Sequence, residues 1–138
     1  MSLEILICAP EERTGECKVS GSTVKQGSVV VKDVDAGVNI AKLAPAGSSR
    51  VFIAKKYEFD PTKMTSDVET MAAGDRLVTL GKGRFATDQF DGAIGDYTKN
   101  DSLCVNTEGK LGILDATANP VVAYVVGTDS TRLIFDLI

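Results

Sequence analysis

The sequence contains no histidine and no tryptophan, and only 6% of its residues are aromatic. Without histidine, the chain cannot form a Ser-His-Asp triad or use a histidine as general base. Cys8, Cys17 and Cys104 have no C-x-x-C spacing, and a zinc site usually needs four ligands, so no zinc site is predicted. An odd and sparse set of cysteines also argues against a disulfide framework. We therefore expect free thiols in a reducing compartment.

The charge balance is mildly acidic, with a net charge of −4 over 138 residues. Binding to nucleic acid through its phosphates needs a basic face, so the balance argues against that partner. The apolar stretch at residues 3–10 is interrupted by Glu4, follows no basic segment and is too short to cross a membrane. We therefore expect no signal peptide and no membrane partner, and a protein made on the cytosolic side.

Short apolar runs alternate with turn residues about every 8–12 residues, which is typical of a sandwich or barrel. The predicted fold class is all-β: a compact β-barrel or β-sandwich of hairpins, with an N-terminal arm and at most one short helix. We divide the chain into an N-terminal strand or arm with its loop at residues 1–23 and a single β domain at residues 24–138. The loop, at residues 11–23, is polar and punctuated by glycine. The strands predicted in the first half of the domain are residues 29–31, 38–43 and 50–59, and Asp35-Ala36-Gly37 is the predicted turn before the second of them.

The most specific local prediction is a hairpin near the C-terminus. The segment Asn106-Thr107-Glu108-Gly109 has the residues of a type I turn followed by a left-handed glycine. A three-residue loop sets Leu103 opposite Ile113 and Val105 opposite Leu111, so the four apolar side chains share one face. A two-residue loop would put the two pairs on opposite faces, and the three-residue loop is therefore predicted.

Two further hairpins are predicted from turn chemistry. One joins residues 121–126 to residues 132–138 across a polar turn. The other uses Gly81-Lys82 as a type II′ turn, with glycine first, and pairs Val78 with Phe85.

Two segments are candidates for binding a partner. Leu3, Ile5 and Ile7 share one face of a predicted strand, which is either an ordinary sheet strand or an arm that adds to a partner's sheet. Residues 60–73 interrupt the β pattern and predict one helical turn or a long excursion. Within them Met64, Val68 and Met71 recur at helical spacing. Methionine fills irregular gaps in cores, so packing is the alternative to a binding surface.

The motifs of enzymes and cofactor sites are missing. No nucleophile lies beside a base, so we predict no enzyme, no cofactor and no metal site. Gly81-Lys82-Gly83 does not have the spacing of a phosphate-binding loop, and the carboxylates near Gly92 do not have that of an EF-hand. Residues 91–95 faintly resemble the Gly-rich strands of trimeric dUTP-hydrolysing enzymes. The Tyr-bearing hairpin and the Gly-rich C-terminal arm of those enzymes are absent from this sequence, which excludes that reading.

A series of turn and core residues in the second half resembles a known group. The segments are Gly74-Asp75-x-x-Val78, Phe90-Asp91-Gly92, Gly95-Asp96, Leu103-x-Val105-Asn106-x-x-Gly109-Lys110-Leu111, Val126-Gly127 and Leu133-Ile134-Phe135. Their order resembles that of the small capsid decoration (cement) proteins of tailed bacteriophages, over residues 73–138. The resemblance implies a compact β-barrel or β-tulip domain.

The resemblance also implies a function and a location. A decoration protein is a structural protein of the virion, found on the outer surface of the capsid and assembled in the host cytoplasm. It stabilises the head by clamping neighbouring major capsid subunits, often as a trimer. The implied partners are therefore the major capsid protein and further copies of the same chain.

Two other function classes remain open. The first is a virion surface domain that binds a host glycan or a cell-surface protein; such modules are also all-β but usually display exposed aromatic residues, which are scarce here. The second is a β-barrel enzyme or cofactor carrier, which as a carrier needs a modifiable lysine at a hairpin tip. Lys82 occupies such a position in the predicted hairpin, and a glycine-flanked turn explains it equally well.

Overall fold

The computed structural model describes residues 3–7, 13–56, 70–113 and 119–138, and this part of the chain is all-β. It contains thirteen strands and a single turn of 3-10 helix at Ile94–Asp96. The strands are β1 Leu3–Ile7, β2 Arg13–Val19, β3 Val24–Lys25, β4 Val29–Asp35, β5 Val38–Leu43, β6 Phe52–Lys56, β7 Thr70–Met71, β8 Arg76–Leu80, β9 Gly83–Thr87, β10 Ser102–Thr107, β11 Lys110–Ile113, β12 Ala123–Thr128 and β13 Leu133–Leu137. The predicted fold class is confirmed.

The strands form two main layers. An antiparallel sheet of six strands has the order β1-β9-β13-β12-β10-β11, and β2-β5-β4-β6-β8 close into a barrel. A short ribbon of β3 and β7 lies beside them. In the barrel β2 and β5 are parallel, and the other neighbours are antiparallel.

Successive residues of the barrel strands alternate between two buried clusters, because side chains of a strand point alternately to its two faces. Val30 and Leu77 belong to the cluster inside the barrel. Their chain neighbours Val29 and Val78 belong to a larger cluster that also contains Phe135 and other residues of the six-stranded sheet. The outer surface of the barrel thus packs against the inner face of the sheet.

The turn between β10 and β11 is bonded directly to the barrel. The Val29 amide donates a hydrogen bond of 2.9 Å to the Gly109 carbonyl, and the Gly109 amide donates one of 2.9 Å to the Ala44 carbonyl. The Gly47 amide donates to the Val105 carbonyl at 2.8 Å. These bonds satisfy backbone groups at the junction of the two layers.

The β10–β11 hairpin has the predicted register. Leu103 pairs with Ile113 and Val105 with Leu111, and a bulge follows Val105. Gly109 has a φ of 76°, as the turn required. Leu103, Val105 and Leu111 are fully buried, whereas Ile113 is 41% exposed. β11 is an edge strand of the sheet, so Ile113, its last residue, has a neighbouring strand on one side only.

A predicted hairpin and a predicted turn are also present. β12 and β13 pair antiparallel, although β12 begins at Ala123 and not at residue 121, and the residues of β13 alternate between buried and partly exposed. β4 and β5 join through Ala36 and Gly37, which both have positive φ, at 49° and 80°. β4 is longer than predicted, because it continues to Asp35 beyond the buried valines.

The predicted hairpin at Gly81-Lys82 is wrong. β8 pairs with β2 and β6 in the barrel, while β9 pairs with β1 and β13 in the sheet, so Val78 and Phe85 are not partners. Gly83, and not Gly81, has a positive φ. The two glycines therefore mark the place where the chain leaves one layer for the other.

The predicted loop at residues 11–23 is wrong in most of its length, because Arg13–Val19 form β2. This strand closes the barrel between β5 and β8. Because its partner strands lie elsewhere in the chain, the polar sequence of the segment does not by itself indicate a strand. Residues 60–69 of the segment in which a helical turn was expected lie outside the described residues. Within residues 70–73, Thr70–Met71 form β7. The division at residue 24 stays a prediction.

Candidate interaction surface

The structure describes four of the six residues predicted to bind a partner. Leu3, Ile5 and Ile7 lie on β1, whose backbone pairs with β9 at one edge of the six-stranded sheet. Met71 is 2% exposed and belongs to the cluster inside the barrel, which is the packing alternative. Met64 and Val68 lie outside the described residues.

An exposed hairpin tip extends from the barrel. Every residue from 32 to 39, at the end of β4, the turn and the start of β5, is exposed. We call residues 33–39 the hairpin tip. Among them Val34 is 62% and Val38 is 43% exposed. An exposed apolar side chain is common on its own, but two on one projecting turn are the kind of surface that contacts a partner.

The two faces of the hairpin tip differ in chemistry. Asp35 pairs with Val38, and Asp33 lies two residues before Asp35 on the same face. Val34 pairs with Asn39 on the opposite face. No lysine or arginine occurs from residue 33 to residue 41. One face of the tip is therefore acidic and apolar, and we call it the acidic face.

A cleft of about 290 Å³ lies beside the base of the tip and is lined by Lys32, Arg50 and Phe52. The Lys32 Nζ atom lies 4.6 Å from the centroid of the Phe52 ring, which is a cation–π distance. Lys32 and Arg50 are exposed at this cleft. The site combines two cations with an aromatic ring, and we call it the basic cleft.

A second cleft, of about 200 Å³, opens where β2 and β5 separate. The parallel pairing of these strands is limited to Lys18 with Ile40 and Val19 with Ala41.

Cys17 borders the cleft, and burial raises the pKa of its thiol despite the opposing charge of Lys32. Cys17 is a buried free thiol, as is Cys104, which confirms the prediction for both; Cys8 lies outside the described residues.

The outer face of the six-stranded sheet carries an ion pair. The Arg84 guanidinium donates to both carboxylate oxygens of Asp136, at 2.8 Å from Nε and 3.1 Å from Nη2. These hydrogen bonds and the charge of Arg84 lower the pKa of Asp136. Tyr124, the register partner of Asp136 on the next strand, is 42% exposed.

Lys82, a predicted carrier position, borders a mainly apolar cleft with Arg84, Asp136 and Ile138. It lies between β8 and β9, where the chain passes from one layer to the other. Because the two strands do not pair, Lys82 is not at the tip of a hairpin.

Sequence reasoning identified the turn at Asp35-Ala36-Gly37 but missed the hairpin tip as a surface. Val38 was predicted as an ordinary strand residue, and Val34 lay between the two predicted strands. Their exposure follows from the length of β4 and β5, which extend past the strands that cover their inner halves. The sequence did contain a local indication of this exposed surface, because aspartates alternate with a valine at residues 33–35 and nowhere else in the hairpin.

The structure contains no helix, within its described ranges, that is long and apolar enough to span a membrane. No known protein family matches the sequence, and no curated protein is detectably similar to it.

A comparison with solved structures finds a similar fold. The crystal structure of the N base of the head fiber gp8.5 in bacteriophage phi29 has a TM-score of 0.58 with this chain and is 12% identical in sequence. The similarity covers 90% of this chain and 92% of that one. The two layers described above therefore form a fold that this chain shares with the N base of a phage head fiber.

Proposed function

We propose that this protein is a structural component of a bacteriophage virion, bound to the head. The observation that carries the proposal is the fold shared with the N base of a head fiber over nine-tenths of the chain. The resemblance of residues 73–138 to capsid decoration proteins supports the same conclusion from the sequence. The two lines are separate, because one uses the path of the backbone and the other uses residue identities.

In the finer form of the proposal, the protein binds the outer surface of the capsid. It clamps neighbouring major capsid subunits as a trimer and has no enzymatic role. Such a role needs shape, apolar anchors and many copies, and no reactive site. Val34, on the face of the hairpin tip opposite the acidic face, provides an exposed apolar side chain, and β1 provides a sheet edge to which a partner strand could add.

The N-terminal candidates stay part of the proposal. The backbone of β1 pairs with β9 of the same chain, and β1 is an edge strand. A strand in this position can hold a partner through its second edge while it remains in its own sheet. Leu3, Ile5 and Ile7 would then set the apolar character of the contact.

The test is a binding experiment with purified heads that carry no decoration protein. We expect the protein to sediment with the heads, to reach saturation at a fixed ratio to the major capsid protein, and to raise the temperature at which the heads release DNA. Absence of binding would overturn the proposal. Binding without any gain in head stability would overturn the clamping role and leave attachment to the head.

The same preparation tests the alternative of a host-binding domain. The structure has one exposed aromatic side chain among its described large apolar residues, Tyr124. A glycan array probed with the isolated protein should therefore give no signal. A specific glycan signal together with failure to bind heads would support the host-binding alternative.

A further inference from the structure

We propose that copies of this chain associate head to tail, with the acidic face of one hairpin tip seated in the basic cleft of the next copy. The acidic face contains Asp33, Asp35 and Val38, and the basic cleft contains Lys32, Arg50 and Phe52. The occupant of the cleft is therefore a second copy of the same protein.

The two surfaces are complementary in both charge and polarity. Two carboxylates on the tip face two cations in the cleft, and the exposed Val38 meets the ring of Phe52. Arginine and carboxylate groups form bidentate contacts, which favours Arg50 as the partner of one aspartate. Residues 33–41 contain no cation, although Lys18 and Arg76 of neighbouring strands line a cavity with Val38. Val38 is 43% exposed and available for contact.

The tip and the cleft are different surfaces, so the contact between copies is heterologous. A heterologous contact generates a ring if its rotation closes and an open filament if it does not. A closed ring leaves each tip and each cleft occupied. Under the proposed function the ring contains three copies, and this number is the part of the inference that rests on that function.

Charge pairs at such a contact are partly exposed, so their attraction is screened by salt. We therefore expect self-association to be strong at low ionic strength and to weaken in about 0.5 M salt. An association driven by apolar burial alone would not weaken in this way.

The experiment measures the solution mass of four proteins by light scattering and by sedimentation. They are the wild type, a tip variant with Asp33→Lys and Asp35→Lys, a cleft variant with Lys32→Glu and Arg50→Glu, and a variant with all four substitutions. Each double variant should weaken self-association by about a hundredfold, because each reverses two charge pairs. The fourfold variant should associate again, since its charges are complementary after the exchange.

Mixing the tip and cleft variants gives a sharper result. The unchanged tip of the cleft variant fits the unchanged cleft of the tip variant, and the lysine tip of the tip variant fits the glutamate cleft of the cleft variant. The mixture should therefore form assemblies in which the two variants alternate, although neither variant associates alone. A ring of three copies cannot alternate without one contact between like charges, so the mixture should not reproduce a closed ring of three. Absence of association on mixing would overturn the head-to-tail arrangement.

The control is Glu108→Lys, which changes an exposed charge on the β10–β11 turn, away from both surfaces. It should leave the solution mass unchanged. Thermal unfolding of every variant shows whether the fold is intact, and recovery in the fourfold variant excludes misfolding as the cause of lost association. A wild type that is monomeric at its highest soluble concentration in low salt would overturn the inference.

Head binding distinguishes this inference from the proposed function. If the wild type binds heads and the tip variant keeps the wild-type mass, the inference fails and the function stands. If the double variants lose self-association and the wild type does not bind heads, the inference stands and the function fails.

Discussion

The hydroxyl of Thr87 donates a hydrogen bond of 2.9 Å to the carbonyl of Gly27 and so joins the six-stranded sheet to the segment that leads into the barrel. Thr87 is fully buried, and its oxygen also accepts a bond of 3.1 Å from the Gln89 amide. One side chain thereby satisfies two backbone groups at the junction of the layers. Such a bond matters more than an exposed one, because its partners cannot turn to water when it is lost.

Replacing Thr87 by valine keeps the shape of the side chain and removes the hydroxyl. The buried Gly27 carbonyl would lose its donor, and we expect the free energy of unfolding to fall by about 1–3 kcal/mol. Urea unfolding followed by circular dichroism measures this change. Thr98→Val, at an exposed position, is the matched control and should change stability by less than about 0.5 kcal/mol. Equal effects of the two substitutions would contradict the role of the bond.

Gly109 should tolerate no side chain. Its φ is 76°, and a Cβ atom there would lie 2.6 Å from Cδ2 of Leu43. Gly109→Ala should therefore cost more than the roughly 1–2 kcal/mol of the left-handed conformation alone. Gly21→Ala is the control, since Gly21 has a φ of 79° and open space around it, and should show only the conformational cost.

The difference in free energy of unfolding between Gly109→Ala and Gly21→Ala, measured in one denaturation series, gives the cost of the clash with Leu43. Adding Leu43→Ala to the Gly109→Ala variant should recover part of this cost, although the loss of the Leu43 side chain also removes packing. Equal stability of the two alanine variants would contradict the prediction that the clash with Leu43 is destabilising.

Tyr97 predicts a loss of stability at alkaline pH. Burial, the charges of Asp91 and Asp96, and that of Cys104 raise the pKa of Tyr97 to about 12. The unfolded value is near 10, so the folded protein retains a proton that the unfolded chain releases. The stability from this group is present in full below pH about 10 and is lost as the pH rises through about 12.

Tyr97→Phe should reduce the loss of unfolding free energy between pH about 10 and about 12. It should also remove the tyrosine that ionises at the highest pH when tyrosinate absorbance is titrated. At neutral pH the variant loses the 2.5 Å hydrogen bond from the Tyr97 hydroxyl to the Asp91 carbonyl, which costs about 1 kcal/mol. An unchanged alkaline profile in the variant would rule out Tyr97 as its origin.

The pair of Arg84 and Asp136 predicts a loss of stability in acid. The hydrogen bonds and charge of Arg84 lower the pKa of Asp136 below its unfolded value, which is near 3.9. The stability that this carboxylate contributes is therefore present above pH about 4 and is lost as the pH falls through the folded pKa. Both side chains are more than a third exposed, so the effect should be small and should shrink further in salt.

Asp136→Asn should reduce the slope of stability against pH below pH about 4 without removing it. Arg132 bonds to Asp129 and lowers its pKa, so that second pair contributes to the same slope. Glu108→Gln, at an exposed position of the β10–β11 turn, is the control. Thermal unfolding measured from pH 3 to pH 6 in low and high salt gives the comparison, and an identical slope in Asp136→Asn and the wild type would contradict the prediction.

The predictions that succeeded depended on short-range information. Asn106 and Gly109 determine the turn of the β10–β11 hairpin, and the turn length sets which residues of its strands face each other. The same applies to the β4–β5 hairpin, where Ala36 and Gly37 carry the positive φ angles. The candidate surface was predicted less well, because the exposure of Val34 and Val38 depends on where other strands end.

The sequence by itself determined the all-β class and the turns of the β4–β5, β10–β11 and β12–β13 hairpins, since a period of two and the chemistry of a turn act within about ten residues. Only the tertiary structure decided which hairpins share a layer. The polar segment Arg13–Val19 forms a strand because it pairs with β5 and β8 in the barrel. Gly83 begins a strand of the other layer because that strand pairs with β1 and β13. These partners lie between 22 residues away, as for Lys18 and Ile40, and 84 residues away, as for Leu3 and Thr87. Pairing over such distances is selected by burial of the whole core.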